Sequence, residues 1–203
     1  MSDMSCSDES LVIRARGGDT RAFESLFDRY KRPILNFIYR LIGNRETAEE
    51  VAQEVFMKAY NNLDIFDPNK KFAPWIYTIA RNLAKNSLRD RKYFADRSLD
   101  EAVFDGDDSI RLRDVIADVG ASPDTIVLDE ELNAEAQKVL DSMPFKYKEV
   151  ITLCSIQGMT HKDAAAMLGC SIASISIRLE EAKRLFMKKL GIDMPGHKGS
   201  EGI

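Results

Sequence analysis

Residues 72–89 read FAPWIYTIARNLAKNSLR, and this stretch indicates the type of fold. Apolar side chains recur along it every three or four residues, which is the spacing of one face of an amphipathic helix. They are Phe72, Trp75, Ile76, Ile79, Ala80, Leu83, Ala84 and Leu88. Because such an apolar face has to be covered by other elements, the stretch predicts a helix within a helical bundle.

Two further helices are predicted before this stretch by the same spacing. The first carries its apolar residues from Phe23 to Leu41, and a kink is expected at Pro33. The second carries its apolar residues from Ala48 to Leu63. No alternation of the strand type lasts in this part of the chain. We therefore predict an all-helical N-terminal domain over residues 8–94.

The C-terminal part of the sequence predicts a second small helical domain, over residues 131–191. One helix is expected from Phe145 to Ile156. Thr160 is expected to cap a short helix that Gly169 ends, and Ser171 to cap a long helix after it. Two helices joined by a tight turn with glycine form a helix-turn-helix, although a helical hairpin without a DNA role also fits.

The charge is divided unevenly along the 203 residues, which carry 29 basic and 33 acidic side chains. Residues 70–93 hold seven basic side chains and one acidic, and residues 138–191 hold nine basic and five acidic. The 94–137 segment between them holds thirteen acidic and three basic side chains. This composition predicts a flexible acidic linker over residues 95–130, with a short helical turn near Ile110–Val119. The predicted fold class is therefore all-α, with two domains joined by a linker.

Composition and motifs also exclude several classes of protein. No apolar run approaches the roughly 18 residues of a membrane span, and the N-terminus lacks the features of a signal peptide, so a cytoplasmic protein is expected. The three cysteines form no CxxC pair and there are two histidines, so we predict neither a metal site nor a cofactor. The acidic run at residues 105–108 lacks the remaining ligands of an EF-hand. No P-loop or GxSxG motif is present, so an enzyme is not predicted.

The polar face of the 72–89 helix is basic and rich in amides. Positions that share it at about 100° per residue are Thr78, Arg81, Asn82, Lys85, Arg89 and Lys92. Lys71, Phe72 and Trp75 stand at its start. Rings stack on bases, cations hold the backbone and amides read base edges, so the pattern suits single-stranded nucleic acid. A solvated basic face with Phe72 and Trp75 in the core fits it equally well.

Two other polar faces are candidate sites. The second helix presents Glu49, Glu50, Gln53, Glu54 and Lys58. This acidic face would repel DNA, so it is either a protein-docking surface or merely solvated, and the pattern alone favours the solvated face. The start of the long C-terminal helix would enter the major groove in a helix-turn-helix. Its candidate base and phosphate contacts are Ser171, Ser174, Ser176, Arg178, Lys183 and Arg184.

Three segments in this order resemble the extracytoplasmic-function group of bacterial RNA polymerase sigma factors. Residues 48–60 (AEEVAQEVFMKAY) resemble the polymerase-binding helix of that family, residues 72–86 its −10 promoter segment, and residues 158–190 its −35-binding helix-turn-helix. The resemblance extends from about Asp8 to Leu190. It implies a non-catalytic transcription initiation factor.

The resemblance assigns a role to each face. The acidic face would dock on the clamp coiled coil of the largest polymerase subunit, and the C-terminal domain would lie near the flap region and bind the −35 element. The implied −10 contacts are Lys71, Phe72, Trp75, Thr78, Arg81, Asn82, Lys85, Asn86 and Arg89. Among them, Phe72 and Asn82 match the pocket for an extruded −10 base. The resemblance further implies an anti-sigma protein as a partner, and we expect a monomer when the chain is free.

The long C-terminal helix departs from the family. Ser176 and Ile177 stand where the family usually has a basic residue followed by serine, and Glu180 and Glu181 replace basic residues. Either the −35 sequence differs, or the two glutamates face the polymerase or the bundle. A freestanding helix-turn-helix regulator is the main rival hypothesis, and it predicts specific binding to a palindromic duplex without polymerase.

Overall fold

The computed structural model describes residues 6–97 and 130–192, and in these ranges the chain forms eight α-helices and no strand. The N-terminal domain contains α1 (Asp8–Arg16), α2 (Thr20–Ile42), α3 (Arg45–Asn61), a 3₁₀ turn (Leu63–Ile65) and α4 (Phe72–Arg97). The C-terminal domain contains α5 (Glu130–Asp141), α6 (Phe145–Ile151), α7 (His161–Leu168) and α8 (Ile172–Lys189). The predicted all-α fold with two helical domains is confirmed.

Most of the predicted acidic linker lies outside the described residues, and so does the helical turn expected near Ile110–Val119. The boundaries at residues 94 and 131 stay predictions. Within the described ranges, no helix is long and apolar enough to cross a membrane.

The apolar stripe of α4 is buried as its spacing predicts. Phe72, Ile76, Ala80 and Ala84 are fully buried in the core of the N-terminal domain, against α2 and α3. Helix α1 was not predicted, and it adds two fully buried residues, Leu11 and Val12, to this core. Pro33 lies inside α2, which continues on both sides of it; the kink expected there stays a prediction.

The helix boundaries predicted around the C-terminal turn are confirmed. The Thr160 hydroxyl accepts a hydrogen bond from the Asp163 N–H at 3.1 Å and so caps α7. Gly169 ends α7 with φ +64°, a left-handed conformation that glycine adopts without steric cost. The Ser171 hydroxyl then accepts from the Ser174 N–H at 3.1 Å and caps α8. These caps satisfy backbone donors that the first turns would leave unpaired.

The helix predicted from Phe145 to Ile156 requires a correction. Its α-helical part ends at Ile151, and residues Thr152–Ile156 form a π-helical segment whose closing bond runs from the Gln157 N–H to the Thr152 carbonyl at 2.9 Å. The wider turn distributes side chains differently from an α-helix. Ile151 lies in the core of the C-terminal domain, whereas Leu153 is fully buried in the core of the N-terminal domain.

The two domains are packed against each other. Lys148 is buried at their contact, and its Nζ donates to the Leu41 carbonyl at 3.2 Å and to Asp141 Oδ1 at 3.1 Å. A Cβ atom at Gly43 would lie 2.4 Å from a carboxylate oxygen of Asp141, so a side chain there would displace the Asp141 carboxylate. Gly43 also has φ +78°, which disfavours any side chain there.

Candidate functional site

The acidic face of α3 is exposed as the sequence predicts. Glu50, Gln53 and Glu54 are exposed, while Ala48, Val51, Ala52, Val55, Phe56 and Ala59 are buried on the opposite face. Three of the predicted docking residues take part in two ion pairs within the helix: Glu49 with Arg45 at 2.9 Å, and Glu54 with Lys58 at 2.8 Å. Such pairs on an exposed helix contribute little stability and leave the face free for a partner.

The second half of the basic face of α4 is also exposed. Asn82, Lys85, Asn86 and Arg89 all present exposed side chains. The side chain of Lys92 lies outside the described ones. Of the polar residues nearer the start of the helix, Thr78 is half-buried, and its hydroxyl donates to the Pro74 carbonyl at 2.7 Å. The exposed part therefore offers two amides and two cations in two turns of helix.

Phe72 does not lie where the single-strand interpretation placed it. Its ring is fully buried and contacts Tyr30, Phe66 and Trp75, with centroid distances of 5.3, 5.9 and 5.5 Å. A ring enclosed in this way has no free surface for a base. The core interpretation of Phe72 is therefore correct, and only Trp75 of the two predicted rings is partly exposed.

Two predicted DNA-binding cations are paired with carboxylates of the C-terminal domain. Arg81 Nε donates to Glu149 Oε2 at 2.6 Å, and the Glu149 side chain is only 5% exposed. Lys71 Nζ lies 2.9 Å from Asp163 Oδ2, and this ammonium group holds the pKa of Asp163 below its usual range. The α4 face is thus partly covered by the second domain.

Several serines of the helix-turn-helix have partners inside the domain. Besides its capping bond, the Ser171 hydroxyl lies 2.9 Å from that of Ser174. The Ser176 hydroxyl donates to the Ile172 carbonyl at 3.2 Å and lies 3.1 Å from His161 Nδ1. These bonds fix the serine hydroxyls. The cations differ in exposure: Lys183 and Arg184 are exposed, and Arg178 is half-buried.

The two unusual glutamates of α8 face different surroundings. Glu181 accepts a hydrogen bond from the Tyr147 hydroxyl at 2.8 Å, so it faces the helical bundle. Glu180 points about 100° away around the helix and is exposed. Only one of the two glutamates therefore affects the exposed surface.

Comparison with known proteins gives the family. The family model described as sigma-70 region 2 matches residues 26–93, and that described as sigma-70, region 4 matches residues 133–186. The ECF RNA polymerase sigma factor SigW of Bacillus subtilis is 33% identical over 179 residues, which are 88% of this chain and 94% of SigW. This chain belongs to the extracytoplasmic-function sigma factors. RNA polymerase sigma-H factor of Pseudomonas aeruginosa is also 33% identical, over 90% of this sigma factor and 93% of that relative.

Solved structures agree with this sigma factor in fold. The sigma factor RpoE of Bartonella quintana, solved with the anti-sigma factor NepR, has a TM-score of 0.63 at 24% identity and covers 85% of this chain and 98% of its own. CnrH, solved with the cytosolic domain of CnrY, has a TM-score of 0.65 at 24% identity. The match covers 92% of this chain and 99% of CnrH. Sigma factors are transcription initiation factors and not enzymes, so family membership confirms the predicted non-catalytic class. Among the described residues, no group of three or more His, Cys, Asp or Glu side chains is arranged to hold a metal ion.

The contacts between the two domains of this sigma factor are structural features that sequence reasoning missed. From the sequence alone, Glu149 and Asp163 would be assigned as ordinary surface charges, because their spacing indicates no partner in the other domain. Asp163 even has a local explanation, since it stands three residues after the capping Thr160. The Tyr77 hydroxyl donates to Gln157 Oε1 at 3.0 Å and is a further contact of this kind.

Proposed function

We propose that this sigma factor acts in the cytoplasm, where it binds core RNA polymerase and directs promoter-specific initiation by reading −10 and −35 elements. Core polymerase supplies the chemistry, and this chain selects the promoter and stabilises the melted strand. The observation that carries the proposal is the exposed face of α4, where Asn82, Lys85, Asn86 and Arg89 stand together. Amides and cations in this arrangement suit an unpaired strand, because they offer hydrogen bonds to base edges and charge to phosphates.

The exposed face of α3 is the proposed docking surface for the clamp coiled coil. Its contacts would be Glu49, Glu50, Gln53, Glu54 and Lys58. The face is fixed in direction because the opposite side of α3 is buried in the core of the domain. Its negative charge would be repelled by DNA. Because α3 would bind polymerase and α4 would bind the −10 strand, both faces could be occupied at the same time.

The −10 contacts we propose are those with accessible polar atoms. Asn82 would read the edge of an extruded base, and Trp75 would supply partly exposed ring surface. The remaining contacts would be Lys71, Thr78, Arg81, Lys85, Asn86 and Arg89. Phe72 is not among the proposed contacts because its ring is buried in the core of the N-terminal domain. Isolated ring and cation contacts are each weak, so the strand would be held by their sum.

The −35 element would be read by α8 in the major groove, with the flap region of polymerase nearby. Ser174, Ser176 and Arg178 lie in the first half of this helix and Ser171 caps its start, which is where a helix-turn-helix contacts bases. Lys183 and Arg184 stand further along, on the exposed side, and suit phosphate contacts.

The free monomer should discriminate promoters poorly. Arg81 and Lys71 are paired with Glu149 and Asp163, so DNA would have to displace carboxylates to reach them. Binding to core polymerase would separate the domains and fix their spacing. Once one domain has bound its promoter element, the other domain would be held near its own element at a high effective concentration. Specific high-affinity binding of the free protein to duplex DNA would contradict this account and favour a freestanding regulator.

We further propose that an anti-sigma protein holds this sigma factor inactive. The support is that RpoE of Bartonella quintana and CnrH, which share its fold, were solved with NepR and with the cytosolic domain of CnrY. The docking faces of α3 and α4 are the surfaces that such a protein would have to cover.

The deciding experiment is transcription in vitro with purified core polymerase. Asn82→Ala should weaken discrimination at one −10 position by about 1–3 kcal/mol for the lost base contact, without weakening core binding. Arg178→Ala should weaken dependence on the −35 element. Asn36→Ala is the matched control, since Asn36 is exposed on α2, which carries none of the proposed contacts. Loss of core binding by Asn82→Ala would show that the α4 face contacts polymerase instead of DNA.

A further inference from the structure

Helix α8 has a buried side and an exposed ridge. Ile175, Leu179 and Ala182 are buried in the core of the C-terminal domain. On the opposite side, three or four residues apart, stand exposed Ala173, Ile177, Glu180, Arg184 and Lys188. This spacing places the five side chains in one row along the helix, facing away from the domain.

Ile177 is the notable member of this row because it is apolar. Its side chain is 59% exposed, on a helix whose exposed side is otherwise polar apart from Ala173 and Ile172 at its start. An isolated exposed isoleucine is ordinary on a protein surface. Here, however, it lies in the second turn of a helix-turn-helix recognition helix, which is the part that meets base edges. An isoleucine forms no hydrogen bond, so a base can be recognised there only through an apolar group.

Glu180 stands one turn further along the same row. In the part of the chain that the structure describes, it has no hydrogen bond or ion pair, in contrast to Glu181, which is bonded to Tyr147. A carboxylate on this row would be repelled by phosphates, so in the groove it is favourable only opposite a hydrogen-bond donor. The major groove offers one such donor, the N4 amino group of cytosine.

We propose that Ile177 and Glu180 determine the −35 preference of this sigma factor, Ile177 by contacting the 5-methyl group of thymine and Glu180 by accepting from the amino group of cytosine. The inference rests on the proposed reading of the −35 element by α8. Three residues of helix advance by about 4.5 Å, which exceeds the spacing of about 3.4 Å between stacked bases by well under one base step. The two side chains therefore address neighbouring base pairs, and Arg184, next in the row, is placed for the phosphates beyond them.

The test uses the reconstituted holoenzyme and promoters that are randomised only in the −35 region, with the transcripts sequenced. Wild type should enrich thymine at one position and cytosine at a position next to it. Ile177→Ser should lose the thymine preference alone, and Glu180→Gln should replace the cytosine preference with one for adenine, because glutamine pairs with adenine N6 and N7. Ile65→Ser and Glu24→Gln are matched controls on exposed residues of the other domain.

A template with deoxyuridine in place of the selected thymine removes only the methyl group. It should lower wild-type transcription about fourfold, the value of one buried methyl group, and leave the Ile177→Ser variant unaffected. Unchanged −35 preferences in both variants, or an equal loss on every template, would overturn this inference while leaving the proposed function intact. Failure of the wild type to support transcription with core polymerase would overturn both.

Discussion

Phe72 lies fully buried among three aromatic rings, at the start of the helix that carries the proposed −10 contacts. Periodicity alone placed Phe72 on the apolar face of that helix, and the resemblance to known sigma factors placed it in a base pocket. The two predictions conflict because spacing shows which side a residue occupies but not how far neighbouring segments cover it. Phe66, in the turn before the helix, supplies this cover, and no pattern in the sequence predicts that contact.

The burial of Phe72 leads to a prediction about stability. Phe72→Ala should lower the free energy of unfolding by about 3–5 kcal/mol, the usual cost of removing a buried phenyl ring. Trp75→Ala should cost less stability because its ring is partly exposed, yet it should weaken binding of a single-stranded −10 oligonucleotide by the reconstituted holoenzyme. Chemical denaturation and a fluorescence binding assay measure the two quantities. A Phe72→Ala variant of normal stability that loses strand binding would restore the base-pocket role.

The C-terminal elements differ in how well local sequence determined them. Thr160, Gly169 and Ser171 were predicted as helix ends and occupy those positions, because a cap depends only on residues within one turn. The π-helical segment at Thr152–Ile156 was not predicted. Leu153 of this segment joins the N-terminal core, whereas Ile151, just before it, lies in the C-terminal core. This division depends on the packing of the domains, which a local pattern does not contain.

Because Ser171 caps α8, substitutions at this position can distinguish a structural role from a DNA-binding role. Ser171→Ala should lower the free energy of unfolding by about 1 kcal/mol, whereas Ser171→Asp should keep it, since aspartate caps as well as serine. Ser171→Asp should nevertheless reduce −35-dependent transcription more than Ser171→Ala, because its charge would oppose the DNA phosphates. Ser7→Asp is the control, since Ser7 caps α1 through the same kind of bond. Equal transcription by the two Ser171 variants would mean that Ser171 lies away from the DNA.

At the scale of the whole molecule, the sequence predicted both domains but not their contact. The apolar spacing of each helix determined which face is buried, and the order of three motifs indicated the family. The contact depends on single charges, such as the pair of Arg81 with Glu149, whose partner lies 68 residues further along the chain. Side chains so far apart in sequence are brought together only by the packed domains. The charge pattern of each segment read separately gives no sign of the pair.

These contacts predict that the free protein limits access to its own −10 face. The double substitution Glu149→Gln and Asp163→Asn removes the carboxylates paired with Arg81 and Lys71. It should raise the affinity of the free protein for a single-stranded −10 oligonucleotide several-fold at low salt, and the gain should shrink as salt screens the phosphates. Small-angle scattering should show a larger radius of gyration, because the loss of these ion pairs weakens the contact between the domains.

Removing two carboxylates also makes any protein less repulsive to DNA, so the comparison needs a control of equal charge. Glu24→Gln with Asp64→Asn provides it, since both residues are exposed on the N-terminal domain and neither carboxylate is paired with the C-terminal domain. If the gain in affinity exceeds that of the control pair, the second domain covers the strand-binding face through these two carboxylates. If the two double variants bind alike, the gain is general electrostatics, and the poor promoter discrimination expected of the free protein must arise from the unfixed spacing of its domains alone.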